Sequence, residues 1–291
     1  MRSTKAHNPL ESKVKKDFVM AAVALLIPLS AAAMTNAQQM QLEKAAVHGN
    51  KSALTTLQSA AERGDANAEY GLGAFYYHRH HYKKAFLCLE KAANQGNAGA
   101  EAGLGYAYYQ GHGVPKNYAK ANYWYQKAAD QGNAGAEFNL GNAYYHAWGV
   151  PKNYAKAVFW FQKAADQGNA YAEFILGLAY YQGHGVPQNY AKAVFWFQKS
   201  ANQGNADAEA VLGYTYYQGH GVPQNYAKAN YWYQKAAAQG NAYAEYNLGV
   251  AYYHAWGVPQ NSMLALHWLK KAAALGDLAA DSVIHHIERG N

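Results

Sequence analysis

The chain has a single cysteine in 291 residues, Cys88, so no disulfide framework within it can hold the fold together. Cys88 lies in the apolar stretch Ala85-Phe86-Leu87-Cys88-Leu89 and reads as a small buried hydrophobe. Such scarcity suits a chain that enters an oxidising compartment. Charge is scarce as well: 15% of residues are charged against 51% hydrophobic, which excludes a disordered polypeptide. Much of the formal charge of +7 sits at the start. Without residues 1–37, twenty basic and sixteen acidic side chains remain, a net of +4. The remaining lysines are spread more thinly than a stripe that tracks phosphates, so no nucleic-acid partner is expected.

Catalytic signatures are missing too. There is no His-Glu-x-x-His, P-loop, nucleophile elbow or dinucleotide fingerprint. Gly111-His112-Gly113 lacks both the glycine spacing and the preceding strand of a phosphate loop. The densest imidazole group, His78-Arg79-His80-His81, reads as a solvated loop rather than a zinc or copper site. His112, His184 and His220 recur once per turn, about 10 Å or more apart, too far to share an ion. The expectation is a non-enzyme with no cofactor, no metal and no catalytic residue.

No apolar run reaches the roughly 20 residues of a spanning helix. Phe18–Ala33 comes nearest and contains Pro28. Lys13, Lys15 and Lys16 precede it, and the small-residue exits Ala31-Ala32-Ala33 or Thr35-Asn36-Ala37 follow. That order reads as an export signal over residues 1–37. The long basic segment and Asp17 are unusual for one, and an uncleaved anchor is the alternative, the only membrane connection expected. No cysteine follows to carry a lipid. The expected location is periplasmic or secreted.

What is present is repetition. Gly-Asn/Asp-x-x-Ala-Glu/Asp-x-x-Leu/Ile begins at Gly64, Gly96, Gly132, Gly168, Gly204, Gly240 and Gly276, spaced by 32 and then five times by 36 residues. Gly-Val-Pro recurs at Gly113, Gly149, Gly185, Gly221 and Gly257; the first copy lacks it and is short between Tyr77 and Tyr82. Each unit reads as two helices. After Gly132, Asn133 caps the first, with Glu137 near its positive end and Ala136, Leu140, Gly141 and Tyr144 as the buried stripe. Gly149-Val150-Pro151 breaks the chain, and Asn153 caps a second helix carrying Ala157, Trp160, Phe161, Ala164 and Ala165. Gly168 is the left-handed stop and Asn169 the next cap. Helices of about 14 residues are marginal alone, so the pairs must stack on their neighbours. The mid-helix Gly105, Gly141, Gly177, Gly213 and Gly249 imply an approach too close for a Cβ. Trp124, Trp160, Trp196, Trp232 and Trp268 recur at one position and read as core.

Three strings carry a family resemblance: Leu140-Gly141-x-x-Tyr144, the turn Gly111-His112-Gly113-Val114, and Lys120-Ala121-x-x-Trp124-Tyr125-x-Lys127-Ala128-Ala129. Together they resemble the Sel-one-like repeat (SLR), a relative of the tetratricopeptide repeat, with an exported bacterial member as the implied type. The resemblance implies an all-α fold, a right-handed α/α solenoid of stacked helix-turn-helix repeats. Its domains would be N-terminal capping helices over 38–63, six repeats over 64–95, 96–131, 132–167, 168–203, 204–239 and 240–275, and a capping helix over 276–291. Ala147-Trp148 and Ala255-Trp256 replace the Gly-His of the turn; alanine is strained in a left-handed conformation, so these two turns are expected to differ in shape. The cysteine pairs of some helicobacter members are absent, and no activity claimed for that subgroup carries over.

Second helices are nearly identical between copies, whereas first helices vary at defined positions. By analogy with the tetratricopeptide register these face a concave groove that would hold a protein or peptide. The candidate contacts are Tyr106, Tyr109, Phe138, Asn142, Tyr145, Tyr171, Phe174, Tyr181, Tyr214, Tyr217, Tyr243, Tyr246 and Tyr253. Tyrosine offers large contact area at low entropy cost and a polar tip. The expected function is a non-enzymatic interaction scaffold in the envelope or after secretion, host contact included. Two alternatives stay open: a cell-wall or beta-lactam hydrolase, whose acid, base and nucleophile are not found in the sequence, and a carbohydrate-binding module gripping sugar faces with its aromatics.

Overall fold

The computed structural model describes residues 34–289, and those residues form fifteen α-helices and no strand. The segment 1–33, most of the proposed export signal, lies outside the described residues. Among the described residues no helix is long and apolar enough to cross a membrane. They divide into two compact units, one ending at Gln167 and the other beginning at Gly168.

The first unit opens with α1 (Met34–Val47) and α2 (Lys51–Glu62), the pair expected to cap the repeats. Repeats follow as α3 (Ala66–His78) with α4 (Tyr82–Asn94), α5 (Ala98–Gln110) with α6 (Tyr118–Asp130), and α7 (Ala134–His146) with α8 (Tyr154–Asp166). The second unit pairs α9 (Ala170–Gln182) with α10 (Tyr190–Asn202), α11 (Ala206–Gln218) with α12 (Tyr226–Ala238), and α13 (Ala242–His254) with α14 (Ser262–Ala274). A single helix, α15 (Leu278–Arg289), closes it against α14.

The caps are those the sequence announces. Asn97, Asn133, Asn205 and Asn241 accept the N–H three residues on at the head of a first helix; Asn117, Asn153, Asn189 and Asn225 do so for second helices. At each seam the chain turns without a loop. Gly132 (φ +79°) donates to Ala129 O, and Asn133 donates to Ala128 O while capping α7.

Burial follows the helical stripe. Ala136, Leu140, Ala157, Phe161, Ala164 and Ala165 are at most 2% exposed. Gly105, Gly141, Gly177 and Gly213 each admit a ring from the second helix of their own repeat, and Gly249 admits Leu269. A Cβ at Gly105 would stand 2.5 Å from Tyr125 Cδ1, and one at Gly141 2.5 Å from Phe161. At the first four of these positions the close approach expected from sequence is helix against aromatic ring, and Tyr233, Phe161 and Phe197 are the largest enclosed side chains.

The structure corrects one expectation. Ala147 (φ +62°, ψ +36°) and Ala255 (φ +60°, ψ +35°) occupy the same left-handed region as Gly111 (φ +82°, ψ +28°). The Ala-Trp turns do not take another shape. They keep the backbone path and accept the strain, because stacking and hydrogen bonds elsewhere hold it in place.

Candidate functional site

First helices end in a pair of tyrosines, and where the following helix starts with a tyrosine the second of the pair packs near it. In the first unit Tyr77 stands 5.3 Å from Tyr82, Tyr109 5.5 Å from Tyr118 and Tyr145 5.1 Å from Tyr154, centroid to centroid. The turn of the next repeat then lies on the first two of these pairs. His112 stacks on Tyr82 at 4.1 Å and 12°, and its Nδ1 is 3.0 Å from Tyr77 Oη. Trp148 lies nearly parallel to Tyr118 at 6.2 Å and packs on Tyr109 at 5.2 Å. The second unit repeats both versions. His220 stacks on Tyr190 at 4.8 Å, with Tyr181 Oη 2.7 Å from its Nδ1, and Trp256 covers Tyr217 and Tyr226. In these junctions a turn residue joins two consecutive repeats.

Burial disfavours charge on several of these groups. Burial, then the neighbouring tyrosines, pushes Tyr109 up to about 12 and raises Tyr77 and Tyr181 further. Burial lowers His112 and His146, helped by His80 and Lys152 respectively. An imidazole beside a phenol can stack on it and exchange a hydrogen bond, as His112 does with Tyr82 and Tyr77.

The thirteen candidate residues do not share one environment. Tyr106, Phe138 and Asn142 are buried at 9%, 9% and 5% exposure, so they support the face from beneath. Tyr171 is the most open at 39%. Tyr109, Tyr145, Phe174, Tyr181, Tyr214, Tyr217, Tyr243, Tyr246 and Tyr253 are half-buried. Tyr109, Tyr181 and Tyr217 are brought together with turn residues as described, Phe174 rests on Phe197, and Tyr243 meets Tyr214 and Tyr233. His78, Arg79, His80 and His81 are all exposed, and among the described residues no three His, Cys, Asp or Glu are grouped to hold a metal.

Sequence reasoning missed a second recurrent constellation. Glu101, in the first turn of α5, is 1% exposed. It accepts from Gln131 Nε2 at 2.7 Å and pairs with Lys127 Nζ at 3.1 Å, while that ammonium lies 4.8 Å from the Trp124 ring centre. Glu173, Lys199, Trp196 and Gln203 repeat the set, as do Glu209, Lys235, Trp232 and Gln239. Each set ties a first helix to the second helix of its own repeat. The residues lie 23 to 30 positions apart, and the only sequence signal is that Glu, Trp, Lys and Gln recur together. Cys88 occupies the Trp position of α4 and is half-buried.

Stacked helix pairs with these caps and turns define an α-solenoid repeat protein. The chain belongs to the Sel1 repeat family, whose model matches residues 66–97, 98–133, 134–169, 170–205, 206–241 and 242–277. Members of that family are generally protein-interaction scaffolds rather than catalysts. Among solved structures the chain is similar to c5321, described as a protective antigen present in uropathogenic Escherichia coli strains and displaying an SLR fold. Identity is 32%, 87% of this chain and 56% of that one are covered, and the TM-score is 0.80. The chain thus spans little more than half of that protein. It is also similar to a Sel1 repeat protein from Oxalobacter formigenes, at 37% identity over 74% of this chain and 86% of that one, with a TM-score of 0.70. No curated protein matches the sequence.

Proposed function

We propose that the protein is a non-catalytic adaptor that holds a protein or peptide partner on the tyrosine-rich face of its first helices. The observation that carries this reading is the half-burial of Tyr181, Tyr214, Tyr217, Tyr243, Tyr246 and Tyr253 in one unit. Their rings are fixed by packing, while each keeps part of its surface open, which is how rigid aromatic anchors offer contact area without an ordering cost. The reading places the adaptor outside the cytoplasm, in the periplasm or beyond, on the strength of the basic segment and apolar run before residue 34. The likeness to a protective antigen is in keeping with that location.

The test is site-specific crosslinking in living cells from a photoreactive residue at Tyr171 or Tyr246, with the exposed Leu278 of α15 as the control position. The expected result is one protein captured from both first-helix positions and not from Leu278, and lost when Tyr217 and Tyr253 are changed to alanine in a chain that keeps its helical circular dichroism. Equal capture from all three positions, or capture indifferent to those substitutions, overturns the reading. Fractionation of cells checks the location separately; chain confined to the cytosol sinks it.

A further inference from the structure

The second helices carry an ordered surface that the first-helix face does not use. In α10, Lys192, Phe195 and Lys199 stand at i, i+3 and i+7, which places them on one helical face with the two lysine Cα atoms about 10 Å apart along the axis. In α12, Lys228, Tyr231 and Lys235 repeat the arrangement. Phe195 is 56% and Tyr231 55% exposed. Isolated exposed rings are ordinary, but the same ring open to water in successive helices is a patterned apolar surface.

The cations beside these rings are held in place. Lys192 Nζ lies 5.3 Å from the Tyr180 ring centre and Lys228 Nζ 5.4 Å from that of Tyr216. Neither forms an ion pair among the described residues. Lys199 and Lys235 sit over Trp196 and Trp232, each giving one contact to a buried glutamate. An ammonium has three donors, so each keeps capacity facing water. Neither helix contains an acidic residue. The surface is therefore positive, pre-ordered and apolar at its centre.

We propose that the outer faces of α10 and α12 dock an acidic protein segment whose carboxylates alternate with apolar side chains. The carboxylates meet Lys192, Lys199, Lys228 and Lys235, and the apolar groups cover Phe195 and Tyr231. Charge complementarity selects the partner, and one unpaired lysine per helix is too sparse for a nucleic-acid backbone with a charge every 1.7 Å or so. Because the cations already rest on rings, little side-chain entropy is lost on docking.

The test is fluorescence anisotropy of the full chain with a labelled twelve-residue peptide of alternating glutamate and tyrosine, against a lysine–tyrosine peptide, phosphatidylglycerol vesicles and a single-stranded oligonucleotide. The expected result is saturable binding of the acidic peptide alone, weakened by salt and by Lys192→Gln with Lys228→Gln by about tenfold. Phe195→Ala with Tyr231→Ala weakens it comparably, whereas Tyr217→Ala on the first-helix face leaves it unchanged. Lys192→Arg with Lys228→Arg keeps binding and guards against a folding artefact. No saturable binding of the acidic peptide, binding indifferent to the α10 and α12 substitutions, or equal dependence on them for vesicles or oligonucleotide overturns the proposal.

Discussion

The turn after α5 and the turn after α7 follow one backbone path with different side chains. The first reads Gln110-Gly111-His112, the second His146-Ala147-Trp148. In both, the fifth residue back receives a hydrogen bond from the residue after the left-handed position: His112 N to Ala107 O at 3.0 Å, Trp148 N to Ala143 O at 2.9 Å. What compensates the strain at Ala147 comes from the repeat before and from the turn itself. Asn122 of α6 donates from Nδ2 to Trp148 O at 2.7 Å, and His146 stacks on the indole at 4.5 Å. The second unit repeats the match: Asn230 donates to Trp256 O at 2.6 Å, whereas Val194 precedes the Gly-His turn at 219–220. The comparison teaches that the residue before the Trp and Tyr (or Phe) of a second helix is matched to the turn of the next repeat, so neighbouring repeats are paired and not freely exchangeable.

The largest expected effect separates the two glycines of one turn. A Cβ at Gly113 (φ +80°) would lie 2.5 Å from Tyr82 O, because the turn presses on the start of the preceding second helix. Gly113→Ala should cost about 3 kcal/mol or more, since backbone must move as well as strain. Gly111→Ala, whose Cβ would meet nothing nearer than 3.4 Å, should cost only about 1 kcal/mol. Urea denaturation of both variants decides; equal losses would mean that the approach to Tyr82 is not what selects glycine. Next comes Trp148→Ala, which strips the cover from Tyr109 and Tyr118 and should cost about 2 kcal/mol, against about 1 kcal/mol for His112→Ala. Matching losses would show the two turn chemistries to be equivalent. Asn122→Val, the residue found beside Gly-His turns, removes one hydrogen bond and should cost about 1 kcal/mol. In a chain already carrying Trp148→His and Ala147→Gly that cost should shrink, and a cost unchanged by this background would break the pairing of repeat and turn.

How much of this could be read from the sequence depends on distance along the chain. Helix pairs, asparagine caps and seam glycines are local patterns within five or so residues, and the structure has them where Asn133 and Gly132 announce them. The mid-helix glycines were legible as close approach, though not as a slot for Tyr125 or Phe161, which lie twenty residues on. The Glu101–Lys127–Trp124 set was not legible. Its members are solvated-looking charges until two helices fold together, and the Glu alone reads as a complement to the helix dipole. For the candidate face, sequence variation picked out the tyrosines but could not tell Tyr171, open at 39%, from Tyr106, enclosed at 9%. Tyr106 stands mid-helix between the rings of Tyr77 and His112, whereas Tyr171 lies in the first turn of α9. The expectation about Ala147 failed for the same reason, since its strain is local and its compensation comes from Asn122.

The smallest effect, and the one of opposite sign, is expected at Ala147 itself. Replacing it by glycine removes about 1 kcal/mol of left-handed strain, while the freer unfolded chain takes back about half of that. Ala147→Gly should therefore stabilise the protein by about 0.5 kcal/mol, seen as a small rise in the urea midpoint with an unchanged slope. The methyl group buries little, since Ala147 is exposed, so no packing loss offsets the gain. A loss of stability on this change would mean that the alanine supports the Trp148 stack after all. The left-handed alanine would then be an advantage of the Ala-Trp turn, and the strain argument that separates the two turns would fail.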